Sequence, residues 1–330
     1  MATATASIFL RDLFALVMLF GIFSLLTASF FLNLDAPDVA MTEAAIGAGI
    51  SPILMLGTLA LIRNRSAPRV KKTIRATMAP ILAVTITGAA LIYASFDMPY
   101  LADPQAPAHN HVAPRYIQQS LQEIGIPNAV TSVLASYRGY DTLGEVFVIF
   151  TAGIGVLALL GFMHNTSGRR YSQFADTASL DHHTILHVIS KIAIPLILLF
   201  AFYVQFHGEY SPGGGFQAGV IFAVAFILYA MIYGLETVYK VVSMRLIRMT
   251  MVAGVLLYAG TGVASLFLGG NYLDYGTLAH DPVHGQHLGI ILIELGVALC
   301  VASVMLSTFL CFAGRAAVRP DEMEEGDKPT

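Results

Sequence analysis

Eight apolar runs, each about twenty residues long, are spread through this chain of 330 residues. They constrain its solvent more than any other feature, because about 20 mostly apolar residues of helix cross a bilayer core. The runs are Leu13–Leu32, Val39–Ile62, Ala76–Phe96, Leu143–Met163, Val188–Phe206, Gly215–Leu235, Met249–Leu268 and Gly289–Phe312. They are apolar nearly all round, as helices in lipid are. Charged residues make up only 12% of the chain, against roughly 25% in a soluble domain. That leaves too few charges to solvate a globule of this size. The chain reads as an all-α integral membrane protein with about eight transmembrane helices, and not as a soluble enzyme. Arg11 and Asp12 precede the first run and no small-x-small cleavage site follows it, so it reads as a retained helix. A net charge of −3 gives no footprint for nucleic acid. Cys300 and Cys311 are eleven residues apart in the last run, about 16 Å along a helix, too far to pair.

Lys and Arg orient the spans. One set of connections carries Arg63, Arg65, Arg69, Lys71, Lys72 and Arg75, then Arg169 and Arg170, then Lys240, Arg245 and Arg248, then Arg315 and Arg319. The other set carries only Arg115 and Arg138. The bias alternates correctly over eight spans and predicts that both termini are cytoplasmic. One outer connection, Asp97–Tyr140, is long. Its stretch Tyr116–Tyr137 is apolar-periodic, broken by Gly125 and Pro127, and predicts a short helix on or dipping into the membrane. The tail Asp321–Thr330 is acidic and predicted to be disordered.

Ionisable groups in the spans are costly and therefore candidates for function. Glu43 lies about five residues into the second run, too deep to cap a helix. Asp35 and Asp38 flank Pro37 and fit a helix start, with Asp35 as the cap. Thr142-x-x-Glu145 fits a capping box. Arg138, Asp141 and Glu145 also share one helical stripe, which could line a polar path. Lys191 can snorkel to the inner headgroups or serve the same path. Glu294 has no capping role, and His287 precedes it by seven residues on the same face.

His207-Gly208-Glu209-Tyr210-Ser211-Pro212-Gly213-Gly214-Gly215 joins the fifth and sixth runs. Gly213, Gly214 and Gly215 suit a tight turn, since glycine accepts positive φ. His207 exceeds what a turn needs. His182-His183-x-x-x-His187 and His280-x-x-x-His284-x-x-His287 have spacings that could ligate a metal, but with no Cys partners they read as no metal site.

Three segments resemble known families. Asp35-Ala36-Pro37-Asp38-Val39-Ala40-Met41-Thr42-Glu43-Ala44-Ala45-Ile46-Gly47 resembles the conserved block of the D-type subunit of membrane-bound hydrogenases, which also occurs in the C-terminal part of the large A-type subunit of Mrp-type cation/proton antiporters. Gly125-Ile126-Pro127-Asn128-Ala129-Val130-Thr131 and Tyr137-Arg138-Gly139-Tyr140-Asp141-Thr142-Leu143-Gly144-Glu145 resemble the E-type block that follows. His207 to Gly219, with Pro212-Gly213-Gly214-Gly215-Phe216-Gln217-Ala218-Gly219, is similar to the signature of the Mrp B-type subunit, MnhB. The resemblance implies a fusion: a D-like two-helix unit over 1–66, an E-like two-helix unit with an outer amphipathic segment over 67–168, and an MnhB-like four-helix domain with an acidic tail over 169–330. In the family the D-like unit usually carries a further helix before the one at Leu13, for which this chain is too short.

The resemblance implies a component of a complex in the plasma (inner) membrane that exchanges Na⁺ for protons, with no cofactor and no catalytic set of its own. The implied partners are the large antiporter-like A- and D-type subunits, the small C-, E-, F- and G-type subunits, and lipid. By motif match Glu43 is the foremost ion-path carboxylate, followed by Asp38, Asp141 and Glu145, then His207. Arg138, Asp35, Lys191 and Glu294 join them from the reading of the residues. Na⁺ is a hard cation that prefers oxygen ligands, which carboxylates, Thr42, Thr142 and turn carbonyls supply. Two alternatives stand beside this: the same module in a redox-driven complex of the hydrogenase type, and a purely structural role in the membrane.

Overall fold

The computed structural model describes residues 2–61, 74–100, 103–160 and 184–316. Arg63, Arg65, Arg69, Lys71, Lys72, Arg169, Arg170, Arg319, His182, His183 and the tail Asp321–Thr330 lie outside the described residues.

Among the described residues eight helices are long and apolar enough to cross a membrane, and no strand occurs. We number them α1 to α8. α1 is Leu13–Asn33. α2 runs through three pieces: Pro37–Glu43, a π-helical segment Ala44–Ile50, and Ser51–Leu61. α3 is Ile74–Ser95, α4 Gly139–Leu160, α5 Thr184–His207, α6 Gly215–Tyr233, α7 Met244–Phe267 and α8 Pro282–Ala316. Each predicted run corresponds to one helix. The largest boundary error is at α8, which begins seven residues before the apolar run does. Polar residues such as His284, Gln286 and His287 fill its first turns. At 35 residues α8 is about 52 Å long, well beyond a hydrocarbon core of about 30 Å.

α8 is the hub. It packs against α2, α4, α6 and α7 and against the short helix Tyr275–Leu278. Small residues make these approaches possible. On α6, Gly215 and Gly219 lie one turn apart, and a Cβ at Gly219 would come within 2.8 Å of Ala298 O on α8. On α7, a Cβ at Gly254 would sit 2.5 Å from Gly296 O. Lipid tails are as apolar as leucine, so helices in membranes gain from backbone-close packing rather than from leaving water. α3 is the opposite case: none of Met78–Ser95 is buried within the chain, so its surface is left to other apolar matter.

The π-helical turn in α2 has a local cause. Pro52 has no N–H to give the carbonyl four residues back, which disrupts the ladder just before it. Pro80 and Pro195 sit inside α3 and α5, as membrane helices tolerate.

The stretch Tyr116–Tyr137 is not one helix on the membrane. Helix Ala113–Glu123 ends at Gly125 (φ 85), and a second helical stretch runs from Ala129 to Tyr137. Between them Ile124 and Ile126 are buried in the end of the bundle. Ser136 Oγ donates to Gln286 Oε1 at 2.8 Å, and the Tyr275 hydroxyl donates to Ala135 O at 3.1 Å. Burial holds the Tyr275 phenol above its ordinary range. The segment thus plugs one end of the bundle instead of floating beside it.

The plug carries its own acid latch. Arg115 bonds Glu123 at 3.0 Å, and the Tyr137 hydroxyl donates a short hydrogen bond to the same carboxylate. The Tyr137 and Arg115 hydrogen bonds hold the Glu123 carboxyl below its ordinary range, while burial and that bond push Tyr137 up to about 12. A depressed folded value means that the latch contributes above the unfolded value of about 4.3 and is lost as pH falls through the folded one. Amide exchange across 113–137 is therefore expected to quicken, after correction for intrinsic rates, below about pH 4. Glu123→Gln should show that quickened exchange already at pH 7, and equal protection in the two proteins at pH 7 would refute the latch.

Candidate functional site

The plug, the start of α2, the α5–α6 turn and the first turns of α8 meet at one end of the bundle. The polar side chains concentrate there. Most of the assembly is local necessity. Asn128 Oδ1 accepts from Val130 N (2.9 Å) and Thr131 N (3.3 Å), an N-cap for the second half of the plug. That leaves Asn128 Nδ2 pointing away. It donates toward Asp38 Oδ1 (3.3 Å) on α2 and toward Gly208 O (3.2 Å) and Ser211 O (3.1 Å) in the α5–α6 turn. Asn128 N also donates to Glu209 O at 3.0 Å, and Thr131 Oγ1 to Gly208 O at 2.7 Å. One residue thus ties three distant segments together.

The α5–α6 turn is as tight as its glycines predict. Gly214 N donates to Val204 O at 3.0 Å, and Gly214 has φ +110, a backbone that L side chains avoid. A Cβ at Gly213 would lie 2.7 Å from Val204 O. Gly215 has a further role that the turn reading missed: a Cβ there would collide with the backbone of Glu294. A Cβ at Gly214 would lie 3.0 Å from Glu294 Oε1 and 3.8 Å from Gln217 Oε1, so both side chains face this turn. Gln217 in turn donates to Thr42 Oγ1 at 2.7 Å, and Thr42 Oγ1 donates to Asp38 O at 2.9 Å.

Glu209 is the main residue that sequence reasoning named only as part of the turn motif. It is only 8% exposed. Its Oε2 lies 3.0 Å from His287 Nδ1, while its Oε1 is buried with no hydrogen-bond partner among the described residues. So His287 serves Glu209, not Glu294 as the seven-residue spacing suggested. Glu294 stands about three turns into α8, deeper than the start of the apolar run at Gly289 implies, because the helix starts at Pro282. Gln205, four residues before Glu209, is also buried with an unpartnered Oε1. Asn128, Gln217 and Gln205 carry no charge, so a search for intramembrane ions could not find them. Glu209 was legible as an acid within a signature motif.

The other candidates fall elsewhere. Glu43 is partly buried at the head of the π-helical segment, and a Cβ at Gly47 would lie 2.6 Å from both Glu43 Oε1 and Ser24 Oγ. The Glu43 carboxylate is therefore folded against α1, one residue from Thr42 but facing a different neighbour. Asp38 is buried and joined to Asn128. Asp35 is exposed, has φ 54, and does not cap: the cap of α2 is Ala36, with no side-chain bond. Glycine-like geometry at Asp35 makes the corner between α1 and α2. Thr142 does not cap either, because α4 starts at Gly139; its hydroxyl donates to Leu134 O at 2.7 Å. The capping box with Glu145 is thus absent, and Glu145 is exposed on α4. Arg138 and Asp141 form an exposed ion pair at 2.5 Å. Lys191 is exposed on α5. His207 is partly buried and stacks on Tyr203, 4.7 Å between ring centres. His284 faces Asp281 at 3.5 Å, and His187 packs edge-on to Tyr233.

Comparison with known proteins divides the chain in the same order as its motifs. Residues 185–307 match a domain related to the MnhB subunit of Na⁺/H⁺ antiporter. Residues 1–64 match the D-type subunit of MBH and residues 74–169 its E-type subunit. Over 137 residues the chain is 34% identical to a putative antiporter subunit mnhB2 of Staphylococcus aureus, covering 41% of this chain and 96% of that protein. The chain belongs to the MnhB family. Its MnhB part is preceded by the two MBH-like parts. A probable K⁺/H⁺ antiporter A/B subunit of Rhizobium meliloti is 27% identical over 331 residues, which cover 93% of this chain and 32% of the relative. Among solved structures, the Mrp complex of a Dietzia species has the same fold (TM-score 0.73, 24% identity), over 99% of this chain and 34% of that one. A chain of an archaeal respiratory membrane complex, the membrane-bound sulfane sulfur reductase, matches over 72% of this chain and 97% of its own (TM-score 0.54, 29% identity). This MnhB-family chain thus spans about a third of the length of the A/B relative and of the Dietzia chain. It is a multi-pass membrane protein.

Proposed function

We propose that this chain is a membrane subunit of a multisubunit antiporter in the plasma membrane that exchanges a monovalent cation for protons, and that it contributes to the ion path. The observation that carries this reading is the meeting of its three family segments at one polar group. Asp38 and Thr42 come from the D-like segment, Asn128 from the E-like segment, and Gly208, Ser211 and Gln217 from the MnhB segment. A merely structural seal has no use for buried carboxylates in lipid. Large antiporter-like subunits of A and D type and small subunits of C, E, F and G type are its partners. The exposed apolar α3 and the exposed charges Glu145 and Lys191 belong against such partners, since lipid would penalise the charges. The chemistry is ion transfer and needs no cofactor, only carboxylate, amide and hydroxyl oxygens that replace water around a hard cation.

A second reading has one observation in its favour. The likeness to a respiratory complex chain fits the same module working where electron transfer drives ions. Copurification of iron–sulfur subunits with this chain would decide for it.

The test is cation-dependent dissipation of ΔpH in inverted vesicles that bear the whole complex. Glu43→Gln at equal assembly is expected to slow Na⁺- or K⁺-driven exchange at least tenfold, because its carboxylate is the acid folded into the α1–α2 seam. Exchange at the wild-type rate would remove Glu43 from the path. Absence of exchange in the wild-type complex would sink the antiporter reading itself.

A further inference from the structure

The α5–α6 turn and the first turns of α8 share a close polar contact that an ion path through Glu43 leaves unused. Glu209 Oε2 lies 3.0 Å from His287 Nδ1. The acid is buried, and its Oε1 has no hydrogen-bond partner among the described residues. An ionised carboxylate offers about four lone-pair sites; here the imidazole is the one side-chain donor that meets them. A buried anion with so few partners is poorly held, so accepting its donor's proton costs it little. His287 sits differently: 28% of its side chain is exposed, so water reaches the ring. Nδ1 is committed to Glu209, which leaves Nε2 as the nitrogen for water. Nε2 lies beside Gly125 of the plug, where a Cβ would come 3.5 Å from it. That position is bare because of its φ of +85 and of Val283 Cγ1, 2.4 Å from the same Cβ, and its bareness also keeps this edge of the ring clear.

The pair is held in place from both sides. Asn128 N donates to Glu209 O at 3.0 Å, which ties the acid's main chain to the plug. Tyr210 N and Ser211 N both donate to His207 O and close the turn around it. The other titratable groups of the packed elements are engaged elsewhere. On the plug, Arg115 and Tyr137 bond Glu123. On α8, His284 faces Asp281, and Glu294 faces Gly214. Asp38 on α2 accepts from Asn128, His207 on α5 stacks on Tyr203, and Tyr275 donates to Ala135 O. Arg138 is paired with Asp141 and Lys240 with Glu236. Among the described residues no Lys or Arg pairs with Glu209, so its charge answers to one imidazole. Imidazole is the side chain suited to passing protons near neutral pH, since its two nitrogens can take one and release another.

We propose that His287 and Glu209 form a proton relay, through which this chain takes protons from the aqueous phase at the plug end of the bundle. The ring starts neutral, with its proton on Nδ1. A proton from water adds to Nε2, and the Nδ1 proton passes to Glu209 Oε2. That leaves a neutral ring protonated at Nε2 and a neutral carboxylic acid, one proton gained in all. Release reverses the steps. The relay is separate from Glu43, whose carboxylate is folded against α1, so proton and cation meet different acids in this chain. The inference deepens the antiporter reading by naming a group that takes the proton, and it rests on that reading for what the proton is exchanged against.

The test is time-resolved infrared spectroscopy of the purified full chain after a jump from about pH 8 to about pH 5, the range in which imidazole works. The expected result is the C=O band of a protonated carboxyl that is absent from Glu209→Gln. Glu209→Asp, which keeps an acid, should move the band, and it serves where glutamine unfolds the chain. In His287→Gln, which keeps an N–H for Glu209 but cannot pass a proton, the band should form at least tenfold more slowly, as expected when a proton-transfer group is lost. Free imidazole should restore the speed in His287→Ala. A static ion pair gives no such band. A wild-type spectrum without a band sensitive to Glu209 would overturn the relay, as would wild-type speed in both His287 variants. Cation-driven exchange by the whole complex in vesicles, measured in parallel, separates the two levels. The band without exchange in the wild-type complex keeps the relay and rejects the antiporter reading. Exchange without the band rejects the relay alone.

Discussion

Gly215→Leu is expected to abolish the folded chain, whereas Gly260→Ala leaves it intact. Gly215 has no room for even a Cβ, because the Glu294 backbone already occupies that position. Backbone cannot rotate away as a side chain can, so α6 and α8 would have to part. Gly219 and Ala298 lie one turn further along the same seam and would part with them. Inserting a single methylene into a packed core costs about 1–3 kcal/mol; four carbons against a main chain exceed that by a wide margin. α8 also anchors α2, α4 and α7, so the loss spreads through the bundle. A Cβ at Gly260 meets nothing within 4 Å, and helix propensity favours Ala there. Fluorescence size-exclusion in detergent reads both variants. A monodisperse Gly215→Leu peak at wild-type height would refute the seam.

Asn128→Asp is expected to destabilise the chain more than Asn128→Ala does. Alanine removes the N-cap, worth about 1 kcal/mol, and strips buried Asp38 of a donor, worth about 1.5–3 kcal/mol for a charged acceptor. The two together are about 3 kcal/mol. Aspartate keeps the cap, since an oxygen still accepts from Val130 and Thr131. Its other oxygen, however, would face Asp38 Oδ1, Gly208 O and Ser211 O, three acceptors, where the amide now donates. A negative charge beside three acceptors is repelled by each of them. The order wild type, then Ala, then Asp in thermal melting at pH 7 tests this. A melt of Asn128→Asp at or above that of Asn128→Ala would show that the cap dominates and that the junction of the three segments is weak.

Eight helices and their order could be read from hydrophobic run length, with limits good to several residues, because lipid demands the same thing of every span. The motifs of the D-, E- and MnhB-like parts were legible for a similar reason: Pro37, Pro127, Gly213, Gly214 and Gly215 fix backbone locally. The early start of α8 was not, since its first turns are polar and are covered by Tyr275 and the plug, which no run length reports. Capping at Asp35 and Thr142 failed because a local pattern competes with the corner at φ 54 and with an earlier helix start at Gly139.

What the sequence by itself determined is the set of membrane helices, the tight α5–α6 turn and the stock of intramembrane acids. Each of these follows from short-range chemistry: transfer to lipid, glycine's backbone freedom, and the cost of charge in lipid. Only the tertiary structure decided which acids meet. It set Glu209 on His287, brought Glu294 to Gly214 in the α5–α6 turn, turned Glu43 away toward Ser24, and left Arg138 with Asp141 and Glu145 at the surface. Such pairings depend on how closely backbones approach at Gly215, Gly219 and Gly254, which is a property of two helices together and is written in neither of them alone.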